Sequence, residues 1–181
     1  MAITKIAEVT VGAGGAASID FTGIAGTATD LMLFLSGRSS NATNTTYART
    51  RINGDTTSAN YTYKALEGDG GSVTSFGGND SGIYTVLPGD SATSSTFGSV
   101  SIYIANYTAS TAKSISVDAA TENNAGSGFV LLGIGATKWS GTAAITSLSI
   151  VPVGSPTNTF KQYSTASLYS ITKGSGGASV S

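Results

Sequence analysis

The sequence predicts an all-β fold, an antiparallel sandwich or barrel, and three observations carry that prediction. Hydrophobicity alternates with a period of two, in short runs, along nearly the whole chain. Thr, Val, Ile, Tyr and Phe, which suit a pleated and half-buried surface, are interleaved with Gly, Ser and Asn, which suit turns. No window offers an apolar helix face of useful length, and the stretch Thr22 to Thr29 allows one short turn at most.

Taken in order, strands are expected at 3–11 and 16–21, split by the hairpin-like run Gly12-Ala13-Gly14-Gly15. A third is expected at 29–37. Strands 46–53 and 60–67 follow, joined at Asn53-Gly54, where both residues tolerate positive φ and a hairpin turn is expected. The remaining strands are 82–87, 97–107, 113–120, 128–137, 143–152 and 166–173. The cleanest alternations are Val100/Ile102/Ile104, Ile115/Val117/Ala119 and Thr146/Leu148/Ile150. Three long loops are expected, Arg38 to Thr45, Gly68 to Gly82 and Pro88 to Thr96. The lysines at 5, 64, 113, 138, 161 and 173 fall singly in or beside strands, either guarding sheet edges or lying on the solvent face.

A chain of 181 residues fits one domain, placed at 1–173, with the small polar residues 174–181 expected to form a flexible tail. A protein of this size buries about 70% of its unfolded surface, enough for a core without metal or disulfide. Charged residues make up only 10% of the chain, against roughly 25% in an average globular protein. With 40% hydrophobic residues, this is not the composition of a disordered chain. The formal charge of −1 leaves no basic patch to bind nucleic acid through counterion release or to dock on an anionic membrane. Met1-Ala2-Ile3-Thr4-Lys5 lacks the pattern of a secretory signal, and the longest apolar stretches, Leu31 to Leu35 and Phe129 to Ile134, are far short of a membrane span. The expected product is made in a cytoplasm.

Catalysis finds little support. There is no histidine and no cysteine, hence no imidazole acid or base, no ordinary Ser-His-Asp triad and no thiolate nucleophile. Only Glu8, Glu67 and Glu122 and seven aspartates remain as candidate paired carboxylates, and most of the aspartates sit in turn-like contexts. The chain is therefore read as a non-enzyme without cofactor. Glu67, Asp69, Asn79 and Asp80 bracket a glycine-rich stretch with oxygen ligands suited to calcium, but their spacing is not that of a calcium loop. Turn chemistry explains them instead, so no metal is expected. The glycine runs lack the ending of a phosphate loop, and the sequons at Asn41, Asn44, Asn60, Asn79 and Asn106 follow from the abundance of Ser and Thr. Trp139 reads as core packing rather than as a sugar platform.

One constellation points to binding. Alternation places Tyr47, Arg49 and Arg51 on one face of their strand, and Tyr61 and Tyr63 on one face of the next. If the two strands form a hairpin, these five side chains form a contact surface of the residue types enriched at binding hot spots. The rival reading is an Arg/Tyr ladder that stabilises an exposed sheet face.

Three stretches carry a resemblance. Arg51-Ile52-Asn53-Gly54-Asp55 leading into Asn60-Tyr61-Thr62-Tyr63 looks like the N-G-D turn and N-Y-x-Y strand of small virion proteins of tailed bacteriophages. Trp139 to Ile150 is similar to their penultimate strand. Phe160 to Ile171 resembles their closing strand, with Ser170 where that pattern has glycine. The resemblance spans Ala2 to Lys173. It implies an antiparallel β-sandwich of jelly-roll type located on the virion. The implied role is a capsid decoration or cement protein that binds the outer surface of the head, bridges major capsid subunits and associates with copies of itself. The alternative is a tail-fibre or adsorption-device module that binds host surface glycans. It implies no catalytic residue.

Overall fold

The computed structural model describes residues 1–122 and 130–173. The expected tail at 174–181 and Phe129 lie outside the described residues, as does the side chain of Glu122. Among the described residues, twelve strands make two antiparallel sheets. They are β1 (Ala2–Thr10), β2 (Ile19–Thr22), β3 (Asp30–Gly37), β4 (Thr45–Ile52), β5 (Tyr61–Gly68), β6 (Val73–Asp80), β7 (Ile83–Pro88), β8 (Gly98–Ile104), β9 (Lys113–Glu122), β10 (Val130–Trp139), β11 (Ser147–Pro152) and β12 (Thr165–Thr172). The larger sheet runs β1-β12-β3-β8-β9-β10-β5-β6 and the smaller β2-β11-β4-β7. The protein is an all-β sandwich.

Period-two alternation becomes rows of core side chains. Leu31, Ile104 and Ile115 lie directly opposite one another across β3, β8 and β9, as do Leu33, Ile102 and Val117, and Leu35, Val100 and Ala119. The smaller sheet answers with Ile19, Phe21, Ile52, Leu148 and Ile150, in register across β2, β11 and β4. All are buried. Each such side chain contributes about 1.5–3 kcal/mol on leaving water.

Strand pairing follows one plan. β1 pairs with β12, β2 with β11, β3 with β8 and β4 with β7, all antiparallel. The first arm β1–β4 and the second arm β7, β8, β11, β12 thus form one long hairpin, folded back and forth between the sheets. Two further hairpins, β5–β6 and β9–β10, are inserted into it and extend the larger sheet beyond β8. The extension curls past β7, so that strand is buried on both faces although it ends its own sheet. Ile83, Thr85 and Leu87 meet the main core, while Val86 faces Gly133 of β10.

Three expectations need correction. Residues 68–82 are not a long loop: Asp69 turns the chain by accepting the backbone N–H groups of Gly71 and Ser72, and Val73–Asp80 pairs with β5 without a break. The glycines at 77 and 78 disguise a strand whose Thr74, Phe76 and Asp80 share one face. Next, β4 and β5 are not a hairpin. Asn53 and Gly54 do adopt φ of 51° and 71°, and the Asp55 N–H closes the turn on the Ile52 carbonyl at 2.9 Å. The Asn53 side chain, however, binds Ala144 O, Thr146 N and Ser147 N, and the chain then passes through a short 3-10 turn, Ser58–Asn60, into the other sheet. Finally, Lys113 neither guards an edge nor faces solvent. It is buried, its Nζ donates to the carbonyls of Ala109, Thr111 and Ala143, and burial pushes its ammonium pKa down.

Arg38, directly after β3, organises the long loop that follows β7. Its buried guanidinium donates to the carbonyls of Asp90, Ala92, Thr93 and Thr96 and to the Thr96 hydroxyl at 2.6–3.2 Å. Gly89 in this loop has no room for a Cβ, which would lie 2.1 Å from the Thr43 carbonyl oxygen.

Candidate functional site

The inserted β5–β6 hairpin overhangs the outer face of β4 and β7, and the overhang makes an open groove. Its floor is Tyr47 and Arg49 of β4 with Tyr84 of β7; its wall is Tyr63 and Glu67 of β5 with Thr74, Phe76 and Asp80 of β6. The volume is about 530 Å³ and the mouth is broad.

Four aromatic rings pack together there. Tyr63 stacks on Tyr84 with centroids 5.3 Å apart, Tyr47 leans on Tyr84 at 4.7 Å, and Phe76 meets both Tyr63 and Tyr84 edge-on. Offset and edge-on contacts of this kind add about 0.5–1.5 kcal/mol per pair beyond area burial. Arg49 pairs with Asp80, and the Tyr84 hydroxyl donates to Glu67 Oε1 at 3.0 Å. Burial, followed by the Tyr47 hydroxyl and the Glu67 carboxylate, pushes the Tyr84 phenol well above its ordinary pKa. Burial first, then the Asp80 carboxylate, raises Tyr63. The charged groups are paired across the two sheets, so the cluster fastens the β5–β6 hairpin onto β4 and β7. It leaves Tyr47 as its most exposed ring.

Of the five side chains singled out by alternation, the structure brings Tyr47, Arg49 and Tyr63 together. Arg51 shares their face but lies further along β4, opposite Ser149 and outside the groove. Tyr61 is wrongly placed by the surface reading. It is fully buried, its hydroxyl accepts the Ile52 N–H at 2.9 Å and donates to the Asp55 carbonyl, and burial pushes its pKa up to about 12. The physical reason is that β4 and β5 belong to opposite sheets, so one face of β5 spans core and groove together. Tyr84, Phe76 and Thr74 escaped the sequence reading. The alternation of Thr74, Phe76 and Asp80 in 73–80 was the available signal, masked by two glycines.

The four oxygen-bearing residues around the glycine-rich stretch do not converge. Glu67 and Asp80 face the groove, Asn79 sits on the opposite face bonded to the Thr62 hydroxyl, and Asp69 is occupied by its own turn. Among the described residues no cluster of three metal-ligating side chains occurs. Trp139 is buried, and its Nε1 donates to Asp55 Oδ2 at 2.8 Å. It is core packing with a polar tether, not a sugar platform.

No protein-family model, curated protein or solved structure matches this chain. The groove and the sheet surfaces therefore carry the functional reading by themselves.

Tyr61 in the core and Tyr84 in the groove give the protein a pH signature. In the unfolded chain a phenol ionises near 10, whereas folded Tyr61 is held at about 12 and Tyr84 is raised as well. A raised folded pKa means stability is fully present below the unfolded value and is lost as pH climbs through that window. Base titration followed by tyrosinate absorbance and circular dichroism should show these two phenols ionising together with unfolding. Smooth ionisation of all eight tyrosines with the fold intact would contradict their burial.

Proposed function

We propose that this is a non-enzymatic virion structural protein, a jelly-roll decoration protein that binds the outer surface of a phage head and bridges major capsid subunits. The observation that carries the reading is an apolar corner on the outward face of the larger sheet. Leu132 and Ile134 of β10, Leu66 of β5 and Val73 of β6 are 51%, 46%, 43% and 75% exposed. Ile134 lies directly opposite Leu66 in the ladder. An antiparallel sheet with one wet face normally alternates apolar-in and polar-out, so several exposed aliphatics in one place mark a contact surface. The neighbouring outer face of β8 and β9, with Ser99, Ser101, Ser114 and Ser116, keeps the ordinary polar character. A low net charge suits attachment by apolar and hydrogen-bonded contacts repeated over many copies.

Two features support the jelly-roll and non-enzymatic parts of this reading. The rolled hairpin, with β1-β12-β3-β8 facing β2-β11-β4-β7, is the strand order of a double Greek key wound into a sandwich. In the groove Asp80 pairs with Arg49 and Glu67 accepts from Tyr84, so both carboxylates serve the fastening of the β5–β6 hairpin.

Quantitative mass spectrometry of purified particles tests the reading. Hundreds of copies per particle are expected. One to a few copies, together with binding of free sugars that Tyr47→Ala abolishes, would overturn it in favour of a tail-associated module that recognises host glycans through the aromatic groove.

A further inference from the structure

We infer that β6 is an association edge, and that its partner is the β6 strand of a second copy of this chain, paired antiparallel across a two-fold axis. The inference comes from comparing the four sheet edges. An edge strand exposes unpaired N–H and C=O groups, and proteins blunt it by shortening, bulging, covering or charging it.

Three of the edges here are blunted. β1 carries Lys5 and a register shift between Lys5 and Ala7. β2 is only four residues long. β7 is covered by the curled larger sheet and ends at Pro88. β6 is neither shortened nor bulged, the described residues do not cover its edge, and its one charge, Asp80, is paired. It is eight residues long, pairs with β5 in unbroken register, and contains no lysine, arginine or proline. Most of it is exposed, and its middle is Gly77-Gly78, which presents no side chain to an approaching strand.

The open backbone specifies an extended strand as the occupant, and the chemistry of β6 favours a second copy. Antiparallel pairing about a two-fold axis is self-complementary, so one surface serves both partners. The only charge on β6 is Asp80, which Arg49 neutralises, so two copies do not repel along the seam. Pairing also puts the two apolar corners, each with Val73, Leu66, Ile134 and Leu132, on the same face of one continuous sheet, at diagonally opposite ends of the seam. The area offered to a common partner is thereby doubled. The inference shares with the proposed function only the idea that copies of the chain associate. A protein that decorates heads as a monomer would overturn it and leave that function standing.

Sedimentation and light scattering of the full chain over a range of concentrations are the test. A dimer is expected, twice the mass of one chain. The doubly substituted Val73→Lys/Ser75→Lys protein should be monomeric and should melt where the dilute, dissociated native chain melts, because both side chains are exposed. Thr4→Lys on the β1 edge should remain dimeric. A monomeric native protein overturns the inference, as does a dimer that survives the two lysines or one that Thr4→Lys breaks. Should the double variant melt early, Ser75→Lys alone supplies the same reading at a position where the side chain points to solvent.

Discussion

Replacing Arg38 with methionine is expected to lower stability by about 3 kcal/mol, because it strips donors from several inward-facing carbonyls at once, each costing about 1–3 kcal/mol when buried without a partner. Methionine keeps most of the aliphatic stem, so the loss reports the guanidinium rather than packing volume. Four carbonyls of 90–96 converge on that one group, and the only carboxylate paired with it among the described residues, Asp90, is 3.9 Å away and engaged more closely by Lys161 at 2.8 Å. The guanidinium therefore acts mainly as a hub for backbone oxygens. Urea denaturation should show the lowered midpoint, and limited proteolysis should cut within 89–96 before the rest of the chain. A change under about 1 kcal/mol would mean that water replaces the guanidinium freely.

The second large effect is expected at Asp55. Its carboxylate accepts the Trp139 indole N–H at 2.8 Å, the Thr57 amide at 2.9 Å and the Asn60 side-chain amide at 2.8 Å. Burial alone would raise its pKa, but these three donors outweigh burial and hold it below the ordinary value of 3.8. A lowered folded pKa means that the stabilisation is present above the unfolded value and is lost as pH falls through the folded one. Asp55→Ala removes it at every pH. We expect a loss of about 2–3 kcal/mol at neutral pH, in the range for hydrogen bonds to a charged group plus one orphaned donor. Trp139 is the only tryptophan, so its emission reads the same site directly and should shift to the red. Native emission together with native stability would show that the tether is dispensable.

Much of the architecture was legible in residue order. Val100, Ile102 and Ile104 and their partners in β9 alternate cleanly because one side of those strands is core and the other is water. That asymmetry is written directly into side-chain type. Turn chemistry was equally readable at Asn53-Gly54, since few residues accept positive φ. The pairing beyond the turn was not. A local turn sets direction, but the strand that follows it pairs wherever its buried face finds a partner, and Tyr61 finds the core of the opposite sheet. β6 was missed for a related reason: glycines weaken the alternation signal, and only a neighbouring strand supplies the ladder that makes Val73–Asp80 a strand.

The candidate groove divides in the same way. Tyr47, Arg49 and Tyr63 could be picked out by type and parity. Tyr84, Phe76 and the Arg49–Asp80 pair could not, because they join residues from separate strands across an inter-sheet overhang. By itself the sequence determined that this chain is an all-β protein without histidine or cysteine chemistry, since composition and period two are local properties. Only the tertiary structure decided which tyrosines face solvent, where Lys113 hides its charge and which sheet edge stays open. Those outcomes depend on where distant backbone groups come to lie, and no single segment encodes that.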